Sequence, residues 1–229
     1  MALKHIVFDC DGVLWQGTNE SYFKCYHQAA LEAGIELDFE LARQRILQNW
    51  GQSVQLEVTG MLPDHLELVP EVVRHYDRLV RSDFFLDSAS LVPEVSQTLE
   101  KLWRHYALSA ITGMNAENVK EMFTRFGLRQ FFRHALSTAE TDDLAKQKCT
   151  GYHLGQLLEW EQLAPAEVLC VGDAATDVQM AGCQRVPIVV VLTGHLTAAQ
   201  ARGLGVRQII SSVADLPSWL GITAPKRPS

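Results

Sequence analysis

The sequence predicts an α/β protein: a doubly wound, mostly parallel sheet interrupted by an all-helical insert. Three observations predict it. Short apolar runs rich in β-branched residues alternate with amphipathic helical stretches from about Pro93 onward. One further run of the same kind, LKHIVF (Leu3 to Phe8), stands by itself at the N-terminus. Between the two, residues 18–87 carry helical periodicity and no convincing strand. The division expected is therefore residues 1–17 and 88–229 for the α/β core and 18–87 for a helical cap.

In order along the chain, SYFKCYHQAALEAG (Ser21 to Gly34) places Phe23, Tyr26, Ala30 and Ala33 at helical spacing and ends on a glycine suited to a C-terminal cap. Phe39 to Trp50 and Pro63 to Ser82 also read as helices, the second split or kinked at Pro70. Pro93 to Tyr106 is an amphipathic helix with Val95, Leu99, Leu102 and Trp103 on one face. It leads into the strand ALSAI (Ala107 to Ile111), then a helix carrying Val119, Met122, Phe123 and Phe126. Further strands are expected at His134 to Thr138, Glu167 to Val171, Val186 to Leu192 and Arg207 to Ser212, with Ala224 to Ser229 a frayed tail.

Composition excludes several classes. An apolar fraction of 47% with 21% charged residues is that of an ordinary soluble globular protein. A net charge of −7 gives no general electrostatic reason to bind nucleic acid or an anionic membrane. No apolar run is long enough to span a bilayer, and the N-terminus enters a strand at once, which predicts no signal peptide and a cytoplasmic protein. Cys10, Cys25, Cys149, Cys170 and Cys183 are scattered without a C-x-x-C pair, as expected of reduced thiols; Cys170 and Cys183 read as small core residues. The histidines form no H-x-x-x-H pair, and Phe131 and Phe132 of RQFFRH read as core. RHYDRLVR (Arg74 to Arg81) reads as a solvated helix face.

Three sequences directly follow predicted strands: DCDG (Asp9 to Gly12), TG (Thr112 and Gly113) and GDAATD (Gly172 to Asp177). Strand C-termini share one edge of an open parallel sheet, so these residues meet there. Carboxylates gathered without matching arginines suit a hard, oxygen-seeking cation, and Mg²⁺ fits. Thr112 offers a hydroxyl, and backbone N–H groups near Gly113 open a helix N-terminus, which together make an anion site. A metal, an anion site and a spare carboxylate suggest phosphoryl transfer. Each motif alone has a plainer reading as a turn or a helix N-terminus; a calcium loop is excluded because Val13 and Leu14 stand where it needs an oxygen ligand and a glycine.

DCDGVL (Asp9 to Leu14), AITG (Ala110 to Gly113) and GDAATD resemble, in order, the first, second and fourth motifs of the haloacid dehalogenase-like (HAD) hydrolases, with Lys148 about where a third-motif lysine belongs. The resemblance implies a Rossmann-like core and the phosphatase branch with a helical cap, similar to phosphoglycolate phosphatases and β-phosphoglucomutases. It assigns nucleophilic attack on phosphorus to Asp9 and general acid–base catalysis to Asp11. Thr112, Gly113 and Lys148 would bind the phosphoryl group. Asp9, the backbone carbonyl of Asp11, Asp173 and Asp177 would hold Mg²⁺. The family's usual spacing selects Lys148 over Lys146, whose plainer reading is a solvated partner of Asp142 and Asp143.

DCDGVLWQG also resembles the first motif of a branch with a large α/β cap, the nitrophenyl phosphatase-like enzymes. There the second motif follows closely, whereas here helices intervene, which favours the helical cap. The function expected is a Mg²⁺-dependent phosphatase acting on a small phosphorylated metabolite through an aspartyl-phosphate. A sugar-phosphate phosphomutase is the alternative, and a catalytically idle binding module the alternative from another class. A dehalogenase is disfavoured because those relatives lack the second aspartate. Trp15, Tyr22, Arg45, Trp50 and Gln52 are candidates for facing the substrate; the sequence says nothing of oligomeric state.

Overall fold

The computed structural model describes residues 2–50, 53–139 and 144–222. Gln52, Asp142, Asp143 and the expected tail from Ala224 therefore lie outside the described residues. The chain forms two compact units, one of Met1–Gln16 with Leu91–Ser229 and the other of Gly17–Ser90.

The first unit begins with β1 (His5–Phe8), buried along its whole length. After a tight turn, β2 (Trp15–Gln16) leads out of this unit. The second unit is built from helices α1 (Thr18–Glu32), α2 (Phe39–Leu47), α3 (Val54–Met61), α4 (Val69–Val80) and the single turn α5 (Asp83–Leu86). Asp38 caps α2 by accepting the Leu41 N–H, and Ser53 caps α3 through the Leu56 N–H. Pro70 falls in the first turn of α4, so it starts the helix instead of kinking one. The unit's interior is aromatic. Tyr26 stacks on Tyr76 with centroids 4.0 Å apart, and Tyr22 packs on Phe85 at 4.6 Å. Tyr76 is thus core within the stretch expected to be a solvated face.

The chain returns through β3 (Ser90–Leu91), which pairs with β2, and then alternates strand and helix. α6 (Val95–Trp103) precedes β4 (Ala107–Thr112), and α7 (Ala116–Arg125) precedes β5 (Phe132–Ser137). α8 (Tyr152–Trp160) precedes β6 (Val168–Gly172), and α9 (Ala175–Cys183) precedes β7 (Ile188–Val191). α10 (Ala198–Gly203), β8 (Gln208–Ile210) and α11 (Leu216–Trp219) complete it.

The strands form one parallel sheet in the order β5-β4-β1-β6-β7-β8. This is the α/β architecture expected, with a Rossmann-like strand order. From the central β1 the chain winds outward to β4 and β5, then crosses back to β6 on the other side of β1. The order thus reverses between β1 and β6, and the crevice beyond their carboxyl ends is where such sheets bind ligands. One face is sealed by Val7, Ile111, Leu154, Leu157, Val168 and Met180. The other holds Phe8, Phe123 and Phe132, in edge-to-face contact at 4.9–6.0 Å.

Three core expectations are corrected. Trp103 is 53% exposed, because Leu102 takes the buried stripe of α6 and the next residue is turned about 100° away. Phe131 lies in a short 3₁₀ turn just before β5 and meets the Trp103 ring at 6.1 Å, while Phe132 alone of the pair enters the core. Cys183 ends α9 exposed, donating its thiol to the Cys149 carbonyl.

Candidate active site

β1, β4 and β6 end side by side, and each delivers a polar residue to the same edge. Asp9 follows β1, its N–H held by the Val171 carbonyl at 2.8 Å. Thr112 closes β4, buried, its hydroxyl accepting the Met114 N–H at 3.2 Å. Gly113 follows it, and a side chain there would meet nothing within 4 Å. Asp173 follows β6, and Asp177 sits in the first turn of α9. Asp177 Oδ2 accepts the N–H groups of Asp173 and Ala174 at 3.1 and 3.0 Å, which satisfies donors that a helix start leaves open.

Oxygens of Asp9, Asp173 and Asp177 lie within 4.8 Å of one another, all three residues buried. Lys148 Nζ stands 2.7 Å from both Asp9 Oδ1 and Asp177 Oδ1. Asp173 Oδ1 is buried with no hydrogen-bond partner among the described residues. Three carboxylates facing one ammonium leave the cluster two charges too negative.

Titration behaviour follows first from burial and then from that surplus. Burial pushes the Asp9 carboxyl up to about 7, aided by Asp177 and Asp11 and opposed by Lys148. Burial, then Asp9 and Asp177, push Asp173 well above the usual carboxylate range. Burial alone would lower the Lys148 ammonium, but Asp177 and Asp9 outweigh it and hold it above its ordinary value. The donor set, all oxygen with one atom orphaned, fits a hard divalent cation.

Asp11 is not one of the three clustered acids, although its charge acts on Asp9. In the turn after β1 the Leu14 N–H bonds the Cys10 carbonyl at 2.8 Å, and the Gly12 N–H bonds Trp15 O at 2.7 Å. That turn brings Trp15 Nε1 to Asp11 Oδ1 at 2.9 Å. Gly12 adopts φ +72°, and a Cβ there would lie 2.6 Å from Asp173 Oδ2, so the turn approaches the cluster only as glycine.

A family model described as haloacid dehalogenase-like hydrolase matches residues 6–191, most of the chain. The chain belongs to the haloacid dehalogenase-like hydrolases. It is therefore an enzyme, and the phosphatase branch expected from its motifs is borne out. A phosphoglycolate phosphatase from Vibrio vulnificus is 26% identical over 192 residues, covering 79% of this chain and 81% of the relative. Two solved structures share the fold. A haloacid dehalogenase-like family hydrolase from Streptococcus pneumoniae superposes with a TM-score of 0.76 at 18% identity, covering 95% of this chain and 98% of that one. A predicted phosphatase from Clostridium acetobutylicum gives 0.78 at 16% identity, covering 97% and 100%. Members of this family generally use a divalent metal, and the buried aspartate cluster provides for one.

Of the residues singled out in the sequence, Asp9, Asp173, Asp177 and Lys148 converge, while Lys146 instead places its ammonium 5.8 Å from the centre of the Tyr152 ring. Trp15 does not belong with the helical unit. It is fully buried in the core unit against Phe123 and Phe126. Tyr22 and Trp50 pack on each other at 5.9 Å, and Arg45 ties α2 to α3 through the Met61 carbonyl. The sequence reading missed the loop after β7. His195 N–H donates to Asp173 Oδ2 at 2.8 Å, and Thr193 Oγ1 donates to the Gly12 carbonyl. A Cβ on Gly194 would fall 1.7 Å from Asp173 Oδ2. Its signal was a second Thr-Gly at a strand end, TG after VPIVVVL, matching Thr112-Gly113.

Proposed function

We propose that this enzyme is a Mg²⁺-dependent phosphatase that hydrolyses a small phosphorylated metabolite through an aspartyl-phosphate on Asp9. The observation that carries the reading is the buried Asp9–Asp173–Asp177 cluster with Lys148 against it, on the motif loops at the sheet's switch point. Asp9, the Asp11 carbonyl, Asp173 and Asp177 hold the ion. When bound, Mg²⁺ supplies positive charge that keeps Asp9 ionised and offsets the phosphate's own charge.

Asp9 attacks phosphorus as the ester O–P bond breaks, and Asp11 gives its proton to the leaving oxygen. Thr112, the backbone at Gly113 and Lys148 hold the phosphoryl oxygens. Asp11, now a carboxylate, takes a proton from the water that attacks the aspartyl-phosphate, releasing phosphate and Asp9. Ser137 Oγ, donating to the Met114 carbonyl at 2.7 Å, braces the strand-end segment that carries Thr112 and Gly113.

The helical unit acts as a cap that selects the substrate. The Vibrio relative supports testing phosphoglycolate first. No described helix is long and apolar enough to cross a membrane, and the proposed enzyme is a cytoplasmic one acting on small molecules. A panel of phosphate esters assayed with Mg²⁺ and with excess chelator tests the reading. Metal-dependent phosphate release is expected. Release of equal rate in chelator, or none from any ester, would remove it.

A further inference from the structure

We propose that Trp15 is a positioning residue for Asp11: its indole N–H fixes the carboxyl group that delivers the proton to the leaving oxygen. The inference rests on the phosphatase reading, in which Asp11 is the general acid and base.

The geometry is specific. Trp15 follows Asp11 by four residues, and the turn between them folds the indole back so that Nε1 donates to Asp11 Oδ1 at 2.9 Å. The ring is fully buried, edge-on to Phe123 at 5.7 Å and tilted on Phe126 at 6.2 Å. Packing alone asks only for a large apolar ring at this place. An indole adds one polar atom, a pure donor that needs an acceptor when buried. Here the acceptor is a carboxylate that chemistry requires to be aimed. A donor on Oδ1 fixes the rotation of the carboxyl group about its bond to Cβ. Trp15 thereby holds Asp11 in the orientation from which it serves the leaving oxygen as the ester O–P bond breaks, and the attacking water afterwards.

The packing also links the two halves of the site. Phe123 lies on α7, the helix that begins just after Thr112 and Gly113, and Phe126 caps its C-terminus. The surface that holds the Trp15 ring is therefore continuous with the segment proposed to bind the phosphoryl group. Acid and phosphate site share one support.

Trp15→Phe keeps a ring and removes the donor; replacing Trp15 by benzothienylalanine keeps the full bicyclic shape, so a packing defect in the first variant does not blunt the test. The reading is kcat/KM for 4-nitrophenyl phosphate, whose leaving group needs little protonation, against an alkyl phosphate, whose leaving group needs it fully. Both variants should lose about tenfold more on the alkyl ester than on the aryl ester. Equal losses on both, or no loss on either, would reduce Trp15 to a packing residue. A second readout does not depend on turnover: in ¹⁵N-labelled protein, Asp11→Ala should move the Trp15 indole proton upfield. An unmoved indole overturns the proposal even if no ester is hydrolysed, whereas inactive wild-type enzyme with a shifting indole counts against the phosphatase reading alone.

Discussion

Lys148 Nζ stands 2.7 Å from Asp9 Oδ1 and at the same distance from Asp177. One ammonium thus joins the end of β1 to the start of α9, with its side chain only 10% exposed. Its charge offsets part of the carboxylate surplus. Lys148→Ala should lower kcat/KM for a phosphate ester by a factor of about 10². Lys146→Ala, which removes an ammonium near an aromatic ring and away from the cluster, should change it little. Steady-state kinetics of the two variants decides, and the reverse order would shift the role to Lys146.

Metal-free protein should lose stability as pH rises. Asp9 has a folded-state value of about 7 against 3.8 when unfolded, and Asp173 is shifted the same way. The folded state therefore holds these protons more tightly, and that stabilisation, complete below the unfolded value, disappears as pH climbs through about 7. A bound cation replaces the protons. The gain in Tm on adding Mg²⁺ should thus be larger at about pH 8 than at about pH 5.5. Scanning calorimetry with and without chelator measures it, and a gain that ignores pH would mean the ion binds elsewhere.

His5 contributes with the opposite sign. Its ring lies buried on β1, 2.9 Å from Ser109 Oγ, and burial pushes its pKa down to about 4. The neutral ring is favoured in the folded state, so stability present above the unfolded value of 6.5 is lost as pH falls through about 4. His5→Gln should flatten that acid limb. Urea midpoints at matched pH, in excess Mg²⁺, give the difference; parallel curves for the two proteins would contradict it.

The sheet was legible because strands buried on both faces read as unbroken apolar runs, and the three motif loops were legible because each begins where such a run stops. α3 was not foreseen: VQLEVTGM contains Gly60 and three β-branched residues, and its start depends on the Ser53 cap more than on periodicity. Trp103 and Phe131 misled because each adjoins a true core residue by one position. Gly194 and His195 escaped for a different reason. They support Asp173 through a missing Cβ and a backbone N–H, and neither leaves a side-chain signature.

Gly194→Ala should therefore damage the site without replacing any of its proposed metal ligands. The added methyl would sit 1.7 Å from Asp173 Oδ2 and force the carboxylate or the loop to move. Outer-shell disruption of this kind costs about 10–100-fold in metal affinity. Gly203→Ala, where a methyl meets nothing within 4 Å, serves as the control. Mg²⁺ titrations followed by calorimetry should separate the two variants; equal affinities would show that the loop after β7 does not hold Asp173 for the metal.

The most direct measurement is the covalent one. Enzyme turning over 4-nitrophenyl phosphate with Mg²⁺ is quenched in acid, digested and analysed by mass spectrometry for an acid-stable, hydroxylamine-labile phosphoryl group. The label should sit on Asp9, accumulate in Asp11→Asn because water attack is slowed, and vanish in Asp9→Asn together with turnover. Ordinary turnover by Asp9→Asn, or a label on any other residue, would contradict the account.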